Sequence, residues 1–216
     1  MRLYVYDHCP YCTRARMIFG LKQIDIDLQF LLNDDEKTPI SMVGKKMVPI
    51  LHKDDGQFMP ESLDIVKYVD NHNGQPVLTG ALLTKMTALI HQLDNDAFRK
   101  LCSPRFVRTA LPEFATASAR DYFSDKKQQT QGDFQQCIED TPVLLKHITP
   151  ILAQIEKEIK SPKACNGELS IDDICLFPLL RNLSIVKGLS FPPKVTAYMQ
   201  EMSKLTHIPL FLDRAI

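Results

Sequence analysis

A change of hydrophobic period close to residue 75 limits what this chain can fold into. Ahead of it, short extended apolar runs alternate with helical stretches; beyond about Leu82 strand signals nearly vanish and a helical period takes over. Period two buries one face of a sheet, whereas period 3.6 buries a stripe of a helix, so the two halves need different layers. In the first half, Leu3–Tyr6 predicts a strand and Pro10–Phe19 a helix, with Pro10 suited to its first position and Gly20 to its end. Ile26–Leu32 predicts a second strand, Thr38–Val43 a short helix or turn, and Val48–Leu51 a third strand. Asp54-Asp55-Gly56 is a turn signal before a fourth strand at Gln57–Met59, and Glu61–Val69 predicts a closing helix. The order is βαβ–αββα, with a parallel crossover first and an antiparallel hairpin after it.

Cys12, Ala15 and Phe19, flanked by Ile18, form the inward stripe of the first helix, and Leu63, Ile65, Val66 and Val69 supply that of the last. His72-Asn73-Gly74-Gln75-Pro76 breaks the pattern. The expected division is an α/β domain over 1–72, a linker over 73–82 and an all-α domain over 83–216. Helical spacing in the second half runs through Leu89, Leu93, Ala97 and Leu101, and through Ile148, Leu152, Ile155 and Ile159. Pro150 and Pro178 fall inside such patterns and predict a kink or a break at each.

The formal net charge is zero, which gives no electrostatic case for nucleic acid or an acidic membrane surface. No apolar run approaches the ~18 residues of a membrane span, and the apolar start is too short for a cleaved leader. A cytoplasmic protein is expected. Six cysteines stand at 9, 12, 102, 137, 165 and 175, irregularly spaced after the first pair. A chain able to bury a sizeable core needs no disulfide framework, so the last four are expected to be reduced thiols.

Cys9-Pro10-Tyr11-Cys12 joins the first strand to the first helix. A thiol there faces unpaired N–H groups and the positive end of the helix dipole, which favour a thiolate. An ordinary thiol of pKa ~8.5 is only about 3% ionised at pH 7, whereas helix-terminal CxxC nucleophiles fall at roughly 3.5–7.5. Cys9, at the N-cap and facing outward, is the expected nucleophile, and Cys12, one turn in and more enclosed, the resolving thiol. The alternative is half a zinc site, which lacks a second Cys or Cys/His pair to complete four ligands. His8 is expected to be a partly exposed neighbour. Val48-Pro49 opens the third strand; a cis proline there would face the CxxC and leave a backbone edge on which an extended peptide docks, and an unliganded edge proline is the other reading. Glu61-Ser62 begins the next helix, where free N–H groups bind a carboxylate and Glu61 can meet an ammonium; plain capping is the alternative.

Cys9-Pro10-Tyr11-Cys12, Val48-Pro49 and Glu61-Ser62, in this order and spacing, resemble the glutathione site of glutaredoxins and glutathione transferases. Leu169-Ser170-Ile171-Asp172-Asp173-Ile174 is similar to the capping box and hydrophobic staple of the transferase helical domain. With Leu31-Leu32-Asn33-Asp34-Asp35, Met59-Pro60-Glu61-Ser62 and Phe177-Pro178-Leu179-Leu180-Arg181-Asn182, the whole chain resembles the two-domain glutaredoxins of enteric bacteria. The resemblance implies a thioredoxin-like domain followed by a glutathione transferase-like helical domain, and a glutathione-dependent thiol–disulfide oxidoreductase. Cys9 and Cys12 would be catalytic, Tyr11, Val48, Pro49, Glu61 and Ser62 would bind glutathione, and no metal would be needed. Glutathionylated proteins and protein disulfides would be substrates of a monomer without nucleic-acid or membrane partners. The basic residue that small glutaredoxins carry shortly before the CxxC is missing, as is their Gly-Gly pair, so thiolate stabilisation is expected to lean on the helix terminus. Lys37, Lys45 and Lys46 are candidates for the glycyl carboxylate. A transferase acting on small electrophiles is the main alternative, and an iron–sulfur carrier or a membrane-inserting homologue are others.

Overall fold

A computed structural model describes residues 1–72 and 74–216. The N-terminal part contains β1 (Arg2–Val5), α1 (Pro10–Leu21), β2 (Asp27–Phe30), α2 (Lys37–Val43), β3 (Ile50–His52), β4 (Phe58–Pro60) and α3 (Ser62–His72). The strands lie in the order β2-β1-β3-β4, with β1 and β2 parallel and the other two pairs antiparallel. This is the expected βαβ–αββα layout.

The helical part follows as α4 (Thr84–Leu93), α5 (Asp96–Phe106), α6 (Ala117–Gln131), α7 (Phe134–Glu139), α8 (Thr141–Glu158), α9 (Ile171–Leu183) and α10 (Pro193–Thr206). One 3₁₀ turn at Pro112–Phe114 joins α5 to α6. The periodic series Leu89 to Leu101 spans two helices, because Asn95 ends the first stretch and caps α5 by accepting the Phe98 N–H at 2.9 Å. No helix among the described residues is long and apolar enough to cross a membrane.

Several local expectations are corrected. Gly20 does not end α1, which runs on to Leu21. A Cβ at Gly20 would lie 2.3 Å from the Thr206 carbonyl oxygen, so this glycine lets α1 meet the end of α10. Leu63 is 41% exposed while Ile65, Val66 and Val69 are fully buried, since a 3.6-residue turn puts Leu63 on the opposite face. Neither Pro150 nor Pro178 breaks its helix; α8 and α9 pass through them, as α5 passes through Pro104. Tertiary packing on both sides outweighs one lost backbone bond.

The segment between α3 and α4 is tied down at both ends. The Asp70 carboxylate accepts the Val77 N–H at 2.8 Å, and the Gly80 N–H donates to the Leu169 carbonyl at 2.8 Å. Asp172 accepts the Leu83 N–H at 3.0 Å and the Thr87 hydroxyl at 2.8 Å. Asn73, part of the expected linker, lies outside the described residues. At the head of α9, the buried Ser170 N–H donates to Asp173 at 2.9 Å. Asp173 also accepts the Cys165 N–H and the Tyr198 hydroxyl, so this carboxylate pins three segments together. Helix α1 packs on α3 from its own layer and on α9 and α10 from the helical part, which leaves its N-terminus at the junction of the two.

Candidate active site

Cys9 occupies the N-cap of α1 in extended conformation (φ −72°, ψ 119°), with Pro10 at the first helical position. Its sulfur accepts the Cys12 N–H at 3.4 Å, and the Cys12 sulfur accepts the Tyr6 N–H at 3.4 Å. All six cysteines are free. Cys9 does not face outward as expected; it is 9% exposed and opens onto a cavity of about 540 Å³ between the two parts of the chain.

Enclosure alone would raise a thiol pKa, yet that of Cys9 falls to about 7. A hydrogen bond from the Cys12 thiol is the largest cause, followed, against the opposing effect of burial, by the charge of His8 and then the backbone N–H groups of Cys12 and Tyr11. The helix terminus therefore contributes after a side-chain donor and a neighbouring cation, not ahead of them. Burial pushes Cys12 up, and the bond to Cys9 adds to this. One sulfur is set to be an anion and the other to stay a thiol.

His8 is not a partly exposed neighbour. Its Nδ1 lies 2.6 Å from the fully buried Glu113 carboxylate, which also accepts the His8 backbone N–H at 2.8 Å. The ring is walled by Tyr6, Phe106, Phe114 and Phe123, at centroid distances of 5.9, 5.1, 5.1 and 5.1 Å. On the other side of the loop, Arg181 from α9 donates to the Asp7 carbonyl at 2.6 Å and its carboxylate at 2.8 Å. Asn182 donates to the His8 carbonyl at 2.9 Å. Three residues of the helical part thus clamp the loop that presents Cys9. Burial works to raise the Asp7 and Glu113 carboxyls, but their cationic partners, Arg181 with Arg16 and His8 respectively, hold both below the usual range.

The remaining sequence-chosen residues meet beside this cavity. Tyr11, Val48, Pro49, Glu61 and Ser62, with Met47, line a smaller space of about 230 Å³, and Tyr11 and Val48 border both cavities. The Val48-Pro49 bond is cis, and β3 begins only at Ile50, so Val48 stands outside the strand ladder. Glu61 precedes α3 rather than joining it and holds a left-handed φ of 70°, which is uncommon for a residue with a Cβ and typical of constrained functional positions. Ser62 is buried at the first position of α3.

Of the three candidate lysines, Lys45 lies 3.5 Å from Glu61, at the rim of the smaller space. Lys46 turns toward the helical part, donating to the Asn33 carbonyl at 2.5 Å with its ammonium over the Tyr122 ring. Burial, and then the charge of Lys126, lower its pKa to about 8. Lys37 opens α2 and borders neither cavity. Arg99, Lys126 and Lys127, which sequence reasoning did not single out, line the larger one. It also overlooked Glu113 and gave Arg181 and Asn182 no role. A lone arginine in the apolar run Ile174–Leu183 was the available signal for a buried, partnered charge; Glu113 carried none. No cluster of three or more potential metal-ligating side chains occurs among the described residues.

Residues 85–215 match the family described as glutaredoxin 2, C-terminal domain, and residues 3–77 the glutathione S-transferase N-terminal domain. The chain is 50% identical over 216 residues to glutaredoxin 2 of Escherichia coli strain K12, covering 100% of both. Its structure is similar to that of Salmonella typhimurium glutaredoxin 2 in complex with glutathione, with a TM-score of 0.97 and 49% identity over 100% of this chain and 98% of the other. A glutathione S-transferase from Methylobacillus flagellatus superposes with a TM-score of 0.60 at 16% identity, over 99% and 98% of the two chains, and shares the fold.

Proposed function

The chain belongs to the glutaredoxin 2 family of glutathione-dependent thiol–disulfide oxidoreductases, and within that activity we propose that Cys9 is the attacking nucleophile and Cys12 the resolving thiol. The observation that carries this assignment is the placement of the pair, with Cys9 at the N-cap of α1 opening onto the larger cavity and Cys12 fully buried one turn in. The thiol pKa values move apart in the same sense, Cys9 down and Cys12 up. The Cys9 thiolate attacks the glutathione-side sulfur of a mixed disulfide, and the substrate sulfur leaves as a thiolate that takes up a proton. A second glutathione thiolate attacks the Cys9–glutathione disulfide, releasing oxidised glutathione and restoring the Cys9 thiolate. With a protein disulfide, Cys12 loses its proton and displaces the reduced substrate, giving a Cys9–Cys12 disulfide that two glutathiones reduce. Glutaredoxin potentials of about −200 to −230 mV lie near the cytosolic glutathione poise, so the direction follows the glutathione redox state.

Glutathione lies along Tyr11, Val48, Pro49, Glu61 and Ser62 in this reading. Val48, outside the ladder, pairs with the peptide backbone of the ligand. The start of α3 with the Ser62 hydroxyl receives the γ-glutamyl carboxylate, and Glu61 the ammonium. Among the lysines, Lys45 is best placed to reach a ligand carboxylate from the rim. The Salmonella relative, whose structure holds glutathione, supports glutathione as the ligand. The domains divide at 1–72, 73–82 and 83–216, in keeping with helix ends at His72 and Thr84. The protein acts as a cytoplasmic monomer on glutathionylated proteins and protein disulfides, a setting that suits six free thiols.

Turnover of a small glutathione mixed disulfide tests the roles. Cys9→Ser loses activity, and Cys12→Ser keeps most of it while losing protein-disulfide reduction. Equal loss in both variants overturns the assignment. The transferase-type N-terminal domain favours one second reading, conjugation of electrophiles, which an aryl halide acceptor assay detects directly.

A further inference from the structure

Glu113 sits in the 3₁₀ turn Pro112–Phe114 of the helical part, fully buried, yet both hydrogen-bond contacts of its carboxylate reach back to the residue preceding Cys9. A carboxylate removed from water needs a compensating cation or donors. Here one oxygen takes the His8 N–H and Nδ1 together, while the other has no hydrogen-bond partner. The arrangement fixes where the imidazole lies and sets a negative charge 2.6 Å from its Nδ1. Tyr6, Phe114 and Phe123 enclose the ring on several sides and hold it in place.

We propose that Glu113 is a positioning residue for the thiol chemistry, holding a cationic His8 against Cys9 and thereby supplying the charge that the sequence lacks ahead of its CxxC. The proposal rests on Cys9 being the nucleophile. The other groups facing this cluster do not replace His8. From α1, Cys12 donates to Cys9 but carries no positive charge. From the loop, Tyr6 is held neutral by burial and by the charges of Cys12 and Cys9. From α9, Arg181 is committed to Asp7 and to the Pro209 carbonyl, and Arg16 of α1 to Asp7. From α5 and α6, Phe106 and Phe123 bring no charge and burial keeps Cys102 a neutral thiol. Of the cations lining the Cys9 cavity, Arg99 is paired with Asp94, Lys126 with Glu36, and Lys127 stands 5.7 Å from the Phe123 ring centroid. Glu113 also adds to the forces that keep Cys12 protonated, so one carboxylate widens the difference between the two sulfurs from both ends.

The pH profile of Cys9 alkylation in the full-length Cys12→Ser background is the test. Glu113→Gln keeps an oxygen acceptor but removes the charge, and His8→Gln removes the cation. In each variant the midpoint is expected to rise by about one pH unit, making alkylation at pH 7 roughly fivefold slower with rates converging at high pH. The double variant moves no further than either single one. Glu113→Asp, which keeps the charge, recovers part of the shift. Uniform slowing at every pH, unchanged midpoints or additive shifts in the double variant would overturn the proposal. Should Glu113→Gln fail to fold, the His8→Gln midpoint decides by itself. A Cys9 midpoint at or above 8.5 in the chain that keeps Cys12 sinks the nucleophile assignment instead, so the two failures are distinct.

Discussion

Arg181→Met tests how strongly the helical part holds the redox loop. The guanidinium is fully buried, donates to the Asp7 carbonyl, the Asp7 carboxylate and the Pro209 carbonyl at 2.6, 2.8 and 2.8 Å, and lies 3.9 Å from the Phe211 ring centroid. Methionine replaces much of its volume but none of its donors. Breaking a buried ion pair from one side costs about 3–5 kcal/mol. Arg16 remains 2.6 Å from Asp7, which places the charge component at the low end, while two carbonyls losing a donor add about 1 kcal/mol or more. A loss of about 4 kcal/mol results. For a domain of this size each kcal/mol shifts Tm by about 2–4 °C, so calorimetry should find a fall of about 8–16 °C. Activity should fall in Arg181→Met below its melting range, since the Asp7 carbonyl lies two residues from Cys9. A fall under 3 °C with unchanged turnover would refute the clamp.

Cys12→Ala removes the largest contribution to Cys9 ionisation, so the alkylation midpoint should rise clearly above 7; a midpoint still near 7 would mean that His8 and the backbone suffice. Gly20→Ala places a methyl against the Thr206 carbonyl at 2.3 Å and should destabilise the chain by about 1–3 kcal/mol, measured by urea unfolding, with no loss predicted if α1 and α10 separate freely. The folded-state carboxyls of Asp7 and Glu113 are depressed, so their stabilisation is complete above the ordinary values of 3.8 and 4.5 and is lost as pH falls through the depressed ones. Acid unfolding scans should show stability declining below about pH 4.5, and less steeply in Asp7→Asn; an identical slope would show that this pair does not drive it.

The order of elements in the N-terminal half was legible because each signal is local. A turn residue, a proline or an alternating run acts within a few residues of itself, and the strand pairing followed from the loop lengths between them. Gly20 was misread for the same reason. In sequence it looks like a stop signal, whereas its small size serves a contact with Thr206 far along the chain. His8 was misread likewise, since nothing adjacent reveals the aromatic wall and carboxylate that enclose it. The set Tyr11, Val48, Pro49, Glu61 and Ser62 could be chosen from chemistry and spacing, but that these residues border one space was a matter of folding.

The sequence by itself determined the strand-to-helix thiol motif, the proline opposite it and the change from mixed to helical architecture, all of which depend on covalent neighbours. Tertiary structure decided what surrounds the motif. Glu113 reaches His8 across 105 residues, and Arg181 reaches Asp7 across 174. Such contacts depend on where α9 and the 3₁₀ turn dock, and their strength depends on the exclusion of water there. Cys9 owes its position at a helix start to its neighbours, and the enclosure of its loop to the packing of the helical half.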